Sequence, residues 1–319
     1  MLRKLACAAL LAASTAAAYA QDFPARAITI VVPNPPGGLV DASARLVGDP
    51  LAKVIKQSVV IENRPGGSGN IAYQAVARAK PDGYTLLASY SAYHTGNPCL
   101  MKELPWAPKD FAPVALVSVA TSVVTVHPSL PVNSLKELVD YLKQNPGKVN
   151  YASQGNGSLS HLGTELFKQQ TGTAITHVPY KGSGQAIQDV LAGQVQMFIT
   201  TPPSVIGHIQ SGKLKALAVA GKSRHPNLPN VPTTAEAGVA GVELEAWVGL
   251  FAPAGTPQPV ISKLTNDIKL ALDQPEAHAR AATQGVEVRY LQPDALDGLV
   301  KKELDYWGDV IKKAKITLD

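Results

Sequence analysis

Beyond residue 20 the chain has a single cysteine, Cys99, because the other one, Cys7, lies in the first few residues. One thiol excludes an internal disulfide framework and a thiolate zinc site. Long apolar runs are also missing: past residue 20 none approaches the ~20 residues a membrane-spanning helix requires. Concentrated positive charge is absent too. The formal net charge is +5, and two of those charges are Arg3 and Lys4. That balance gives no basic face for a nucleic acid. Known catalytic signatures fail one by one. PNPPGG (33–38) and RPGGSGN (64–70) lack the lysine of a phosphate-binding loop, and GSGNIA from Gly67 ends in alanine where a dinucleotide fingerprint has glycine. No G-x-S-x-G elbow occurs. The seven histidines show no HxxxH or close pairing for a metal. Neither a catalytic constellation nor a cofactor or metal site is therefore expected.

What is present begins with MLRKLACAALLAASTAAAYA. A positive start, a short apolar run and the small-x-small Ala18-Tyr19-Ala20 read as a cleavable secretory signal peptide over residues 1–20. The mature chain is then expected to be exported and to live outside the cytoplasm, held together by its core alone. Next comes an alternation. ITIVV (28–32), SVVIENR (58–64), YTLLASY (84–90), VNYAS (149–153) and QMFIT are rich in β-branched and aromatic residues. Helical patterns such as Leu39 to Ile55 lie between them. This predicts an α/β fold with a largely parallel sheet.

The pattern restarts in mid-chain. ITIVV runs into PNPPGG, and about 120 residues later VNYAS runs into QGNGSLSH, each a Gly-rich corner opening a helix. Two lobes of similar design follow. Lobe 1 is expected to comprise 21–123 plus 247–319, with a helical tail packed back on it, and lobe 2 to comprise 124–246. The apolar stretches around Val114 to Val126 and Leu217 to Phe251 are the expected crossings, with Trp247 packed in the core or hinge.

Each corner has a chemical use. The start of a helix carries backbone N–H groups without intrahelical partners and the positive end of the macrodipole, so it attracts anions. In open α/β sheets ligands sit beyond the carboxyl ends of strands. Gly37 and Gly38 at the first corner, and Gly155 and Gly157 at the second, are expected to leave amides uncovered. Ser158 and Ser160 cap the helix or donate to an oxygen. Asp41 either orients the first corner or touches ligand, and His161 either donates to an anion or caps. Both corners are expected to address one small anion between the lobes. A plain strand-to-helix turn is the competing reading of each corner taken alone.

At these residues the sequence closely resembles the Bug family, the periplasmic receptors of tripartite tricarboxylate transporters. The ordered matches include FPARAITIVVP, PPGGLVDASAR, ENRPGGSGNIA, ARAKPDGYTLL, HPSLPVNSLKEL, NPGKVNYASQGNGSLSHL, HVPYKGSGQAIQDVLAGQVQ, LPNVPTTAEAG and APAGTP. The resemblance implies a two-lobed periplasmic-binding-protein (Venus-flytrap) fold, type II-like, and no catalysis. It also implies capture of a small organic carboxylate for a membrane permease by a monomer. Asn34 to Asp41 and Ser153 to His161 would hold the carboxylate, largely through backbone amides and water. Candidate binding residues are therefore Asn34, Gly37, Gly38, Asp41, Ser91, His94, Ser153, Gly155, Gly157, Ser158, Ser160, His161, Tyr180, Thr200 and Thr201.

Three places depart from the common pattern. Asn34 replaces an aromatic residue, Thr200 and Thr201 stand where an acid or amide is common, and SYSAYHTGNPC (89–99) is richer in aromatics. Together they point to an aromatic mono- or dicarboxylate first and a short aliphatic dicarboxylate second. A sensory receptor docking a sensor kinase is the rival role, and a secreted hydrolase, lacking any recognisable dyad, is a distant one.

Overall fold

The structure is a computed structural model that describes residues 23–314 and 316. The expected signal peptide lies outside the described residues. The strands are β1 (Ile28–Val32), β2 (Val59–Asn63), β3 (Thr85–Tyr90), β4 (Phe111–Thr121), β5 (Val123–Val126), β6 (Asn150–Ser153), β7 (Thr176–Pro179), β8 (Met197–Thr200), β9 (Lys215–Val219), β10 (Glu245–Pro253) and β11 (Glu287–Leu291). The longer helices are α1 (Leu39–Ile55), α2 (Asn70–Ala77), α3 (Leu135–Gln144), α4 (Leu159–Thr171), α5 (Ser183–Leu191), α6 (Gln258–Leu272), α7 (Pro275–Gln284) and α8 (Pro293–Ala314).

Two sheets divide these strands. One has the order β11-β4-β10-β3-β1-β2 and the other β7-β6-β8-β5-β9. The interior strand β1, a run of β-branched residues, is buried at four of its five positions, as a strand covered on both faces must be. Its neighbours β2 and β3 both run parallel to it. In the second sheet β6 likewise has parallel neighbours, β7 and β8, on either side. Both expected corners therefore leave the carboxyl end of a strand flanked in parallel on each side, the position where such sheets accept ligands.

Elsewhere the sheets are antiparallel, which corrects the expectation of a largely parallel arrangement. β10 pairs antiparallel with β3 and β4, β11 with β4, and β5 with β8 and β9. The reason is the way the chain passes between the sheets. β4 ends at Thr121 and β5 starts at Val123 in the other sheet, while β9 ends at Val219 and β10 starts at Glu245 back in the first. At the crossing, the Ser122 N–H donates to the Leu244 carbonyl, the Ala220 N–H to the Ser122 carbonyl, and the Leu244 N–H to the Ala220 carbonyl. Strands that leave and return side by side run in opposite directions.

The tail is a second correction, since it is not wholly helical. EVRYL forms β11 on the edge of the first sheet, between α7 and α8. None of its five residues is buried, so no inward-facing apolar row marked it. The tail does pack on the first sheet: α6 lies against α1 and β4, and α8 lies against β4. α8 also reaches α4 of the second lobe, so the tail bridges the two.

Local chemistry sets the element ends. Ser134 and Ser158 cap α3 and α4 by accepting from the N–H groups of Glu137 and His161, the usual role of serine there. Gly172 ends α4 at φ 64°, a left-handed conformation that glycine adopts without steric cost. One buried apolar cluster runs from Ile28 and Leu46 through Val124, Phe167 and Trp247, so the lobes share part of their core. Leu46, 1% exposed on α1, supports the helix that presents the first corner. Leu46→Ala should cost about 2–5 kcal/mol by cavity formation. Urea unfolding with an unchanged slope checks this, and a loss under about 1 kcal/mol would show that the site collapses around the missing atoms.

Candidate binding cleft

The first corner is built around Asp41, on the first turn of α1. Its carboxylate accepts from the Gly37 N–H (3.1 Å), the Asn63 Nδ2 (3.0 Å) and Arg45, whose nearest nitrogen is 3.0 Å away. Asn63, at the end of β2, also donates to the Asn34 carbonyl at 2.9 Å. One carboxylate thus ties the loop, the helix and the neighbouring strand. Gly37 sits at φ +92°, a left-handed conformation that costs a side-chain-bearing residue free energy. Burial alone would raise the Asp41 pKa. The hydrogen bonds from Arg45, Asn63 and the Gly37 amide outweigh burial and hold it below the usual carboxylate value.

The second corner is held by neutral groups. Gly155 N–H donates to Ser153 Oγ (3.2 Å), Gln154 N–H to Ser160 Oγ (2.9 Å), and Gly157 N–H to His161 Nδ1 (3.2 Å). Ser158 Oγ donates to the Gly155 carbonyl at 2.6 Å. The amides of Gly37, Gly155 and Gly157 are therefore not uncovered as expected. Side chains within four residues accept from each of them. Accepting at Nδ1 leaves the His161 proton on Nε2. His161 stacks on His177 with ring centroids 4.3 Å apart, and Tyr151 stacks on the far side at 4.8 Å. Burial lowers the pKa of both histidines. That of His177 falls to about 4, helped by the adjacent His161.

The corners meet. A cavity of about 260 Å³ lies between them, just under the usual size range of small-molecule pockets. From the first lobe it is lined by Pro33, Asn34, Pro35, residues 65–69 and Tyr93, and from the second by Gln154, Gly155, Asn156, Pro179, Tyr180 and Lys181. At its lips Ser68 Oγ donates to the Asn156 carbonyl at 2.9 Å. A Cβ on Gly182 would come within 2.8 Å of Pro35, and one on Gly38 within 2.9 Å of Ser183 Oγ. Deeper in, Tyr90 Oη from β3 accepts the Leu159 N–H from the start of α4 at 3.2 Å.

Of the candidate residues, Asn34, Gly155 and Tyr180 line the cavity. Gly37, Gly38, Asp41, Ser153, Gly157, Ser158, Ser160 and His161 shape the corners behind it. Thr200 acts one step further back: its Oγ1 accepts from Gln154 Nε2 at 3.0 Å and so aims a residue that does line it. Thr201 is buried off the cavity, with its hydroxyl unpaired. Ser91 accepts from the Trp247 N–H at 3.3 Å where the chain re-enters the first lobe. His94 lies in the aromatic core and not on the cavity wall. Residues 92–96 coil into a π-helical turn that carries its ring inward. There it stacks on Phe251 at 4.6 Å, with Nδ1 2.9 Å from Ser89 Oγ. Burial lowers its pKa to about 3.

Sequence reasoning passed over two parts of the wall, residues 65–69 and Lys181, whereas Tyr93 belongs to the aromatic-rich segment 89–99 already singled out there. RPGGSGN, set aside as a failed phosphate loop, forms the first-lobe lip. Tyr93 supplies a ring beside Asn34, whose Nδ2 donates to its hydroxyl at 3.4 Å. Lys181 immediately follows Tyr180 in YKGSG. A larger cavity of about 380 Å³ lies elsewhere, lined by residues such as Val119, Arg224, His225 and Gly285. Two of its polar groups are already engaged: Arg224 pairs with Glu236 at 2.9 Å, and His225 Nε2 lies 3.1 Å from the Gly285 carbonyl. The smaller cavity holds the convergent corners.

Comparison with known proteins shows the family and the fold. The model of the tripartite tricarboxylate transporter family receptor matches residues 43–316. A UPF0065 protein of Bordetella pertussis is 36% identical over 313 residues, covering 98% of this chain and 97% of that one. Protein BugT of the same organism is 38% identical over 296 residues, covering 92% and 91%. Among solved structures, a periplasmic transporter superposes with TM-score 0.90 at 40% identity, over 93% of this chain and 100% of the other. R. palustris Rpa4515 with adipate gives 0.90 at 36%, over 93% and 99%. MatC from Rhodopseudomonas palustris with bound malate gives 0.85 at 35%, over 91% and 100%. The chain belongs to the tripartite tricarboxylate transporter receptor family, the Bug proteins. It is a periplasmic solute-binding protein and not an enzyme.

Two outcomes test the cleft's supports. Asp41→Asn should lose about 1–3 kcal/mol of stability at neutral pH, since Arg45 and Asn63 lose a charged acceptor. The folded pKa lies below the unfolded one. The wild-type advantage is therefore complete above about pH 3.9 and shrinks as pH falls through the lower folded value. Urea titrations of both proteins between pH 7 and pH 2 check this, and curves a constant distance apart down to pH 2 would refute it. Tyr90→Phe removes an inter-lobe hydrogen bond and should favour the open form by about two- to ten-fold. Small-angle X-ray scattering should give a larger mean radius of gyration with native circular dichroism. Identical scattering would mean that this bond does not act in closure.

Proposed function

We propose that this receptor captures an aromatic mono- or dicarboxylate and presents it to the membrane permease of a tripartite tricarboxylate transporter. The observation that carries the reading is the makeup of the wall. Pro33, Pro35, Pro65 and Pro179 with Tyr93 and Tyr180 give flat apolar surface, and no acidic residue lines the cavity. Flat faces suit a ring, which gains from edge or face contacts with tyrosine. The carboxylate belongs at the corners, beside the starts of α1 and α4 and their positive dipole ends. There it competes with Ser153, His161 and Tyr90 for the amides. A charged acceptor makes a stronger hydrogen bond than these neutral ones, so exchange favours the ligand. Burial keeps the Tyr93 and Tyr180 hydroxyls protonated, with pKa values pushed up to about 12, and Asp189 beside the Tyr180 hydroxyl reinforces this. Neither adds negative charge against an incoming anion.

The chain works, on this reading, as a monomer exported through removal of residues 1–20. Lobe 1 is 21–123 plus 247–319 and lobe 2 is 124–246. Ser91, His94 and Thr201 support the cleft from behind, and the remaining candidate residues bind or shape it. A short aliphatic dicarboxylate is the second reading, favoured by the adipate and malate held by the two related structures.

Calorimetry on protein freed of copurified ligand tests both readings, with benzoate and the benzene dicarboxylates set against succinate, malate, adipate and citrate. Free acids should bind and their methyl esters should not, and a ligand at a hundred times its Kd should stabilise by about 2.7 kcal/mol. Equal response to acids and esters would refute capture at the two corners. Tighter binding of citrate than of every aromatic acid would refute the aromatic preference.

A further inference from the structure

The cavity wall is nearly devoid of charge. Among the residues that line it, Lys181 alone carries an ionised side chain. It lies between Tyr180 at the end of the second-lobe wall and Gly182, the residue before α5. Gly182 is packed so closely on Pro35 that a Cβ there would lie 2.8 Å from the proline ring. This contact holds Lys181 at the lip opposite the first-lobe corner.

Local acids are otherwise engaged. Asp189 accepts the Tyr180 hydroxyl at 2.7 Å, Glu62 pairs with Arg64 at 2.7 Å, and Asp41 pairs with Arg45. Among the described residues the Lys181 ammonium has no salt-bridge partner. Its own backbone N–H reaches Gln185 Oε1 at 3.4 Å, tying the turn without involving the ammonium.

The cavity thus has two places for negative charge. One is the pair of corners, where helix starts and amides converge. The other is the Lys181 ammonium at the mouth. A monocarboxylate satisfies only the first. We propose that Lys181 is the counter-charge for a second carboxylate and makes this receptor select dicarboxylates over their monocarboxylate counterparts. This assignment rests on the cleft being the carboxylate site.

Lys181 is exposed, so the attraction is screened by water and salt. The discrimination is correspondingly modest. The test is the ratio of Kd values for matched acids, benzoate against benzene-1,4-dicarboxylate and hexanoate against adipate, measured by calorimetry at low salt. An exposed ion pair contributes a factor of about two to five, on top of the about two-fold statistical advantage of a ligand with two equivalent ends. The wild-type ratio should therefore lie at about four to ten. Lys181→Gln should lower it to about two, and Lys181→Arg should restore it because the charge returns. Raising the salt should compress the wild-type ratio and leave that of Lys181→Gln unmoved. Melting temperature and circular dichroism should not change, since an exposed side chain without partners contributes little to stability.

A ratio that Lys181→Gln leaves at the wild-type value overturns the assignment while leaving carboxylate capture intact. Failure of every acid, mono or di, to bind overturns the carboxylate reading itself and the Lys181 assignment with it.

Discussion

A buried carboxylate without neighbours would be intolerable, and Asp41 is tolerated because three groups converge on it. The Gly37 amide, the Asn63 side chain and the Arg45 guanidinium come from a loop, a strand end and the next turn of the same helix. Each is fixed in place by the need to satisfy that one charge. Asn63 then holds the Asn34 carbonyl, and the first wall of the cleft follows. The second lobe solves the same problem without a charge. Serines and a neutral histidine take up the amides there, so one corner is locked and the other exchangeable. A receptor that must both seize and release its cargo gains from that asymmetry.

The electrostatics of the cleft are those of a reversible binder. Histidines near the site are kept neutral by burial, as the low pKa values of His94 and His177 show. The tyrosines are kept protonated in the same way. Among the residues lining the cavity, none stands poised to give or take a proton at neutral pH against a bound anion. Apart from Lys181 at the mouth, the wall brings no charge of its own to a bound anion.

Much of this was legible in the sequence, and the failures have physical causes. β1 with PNPPGG and β6 with QGNGSLSH were visible because a β-branched strand and a stiff, glycine-bearing corner are local signals. The crossing stretches were visible as apolar runs, but not their antiparallel pairing, which depends on where distant segments meet. β11 was hidden because EVRYL is too short and too exposed to display an inward row. His94 was misplaced because its sequence neighbours, Tyr90 and Tyr93, do belong to the cleft. The π-helical turn that sends the imidazole to Phe251 has no local signature. The lip at Gly66 to Gly69 was tested against phosphate chemistry alone, and its role as a wall depends on the opposite lobe. Thr200 was read as a wall and proves to be a strut under Gln154.

At two of the places where the lobes touch, Gly182 against Pro35 and Gly38 against Ser183, one partner is bare main chain with no room for a Cβ. At Gly182 the approach of the jaws is limited by main chain against a proline ring, which has no rotamer to adjust. Such a stop behaves like a calliper. It presents every visitor with the same gap, and selectivity by length comes from rigid backbone while selectivity by character is left to the few side chains around it. Family members that share this seam would be free to change those side chains, and so their cargo, without re-engineering the closing movement.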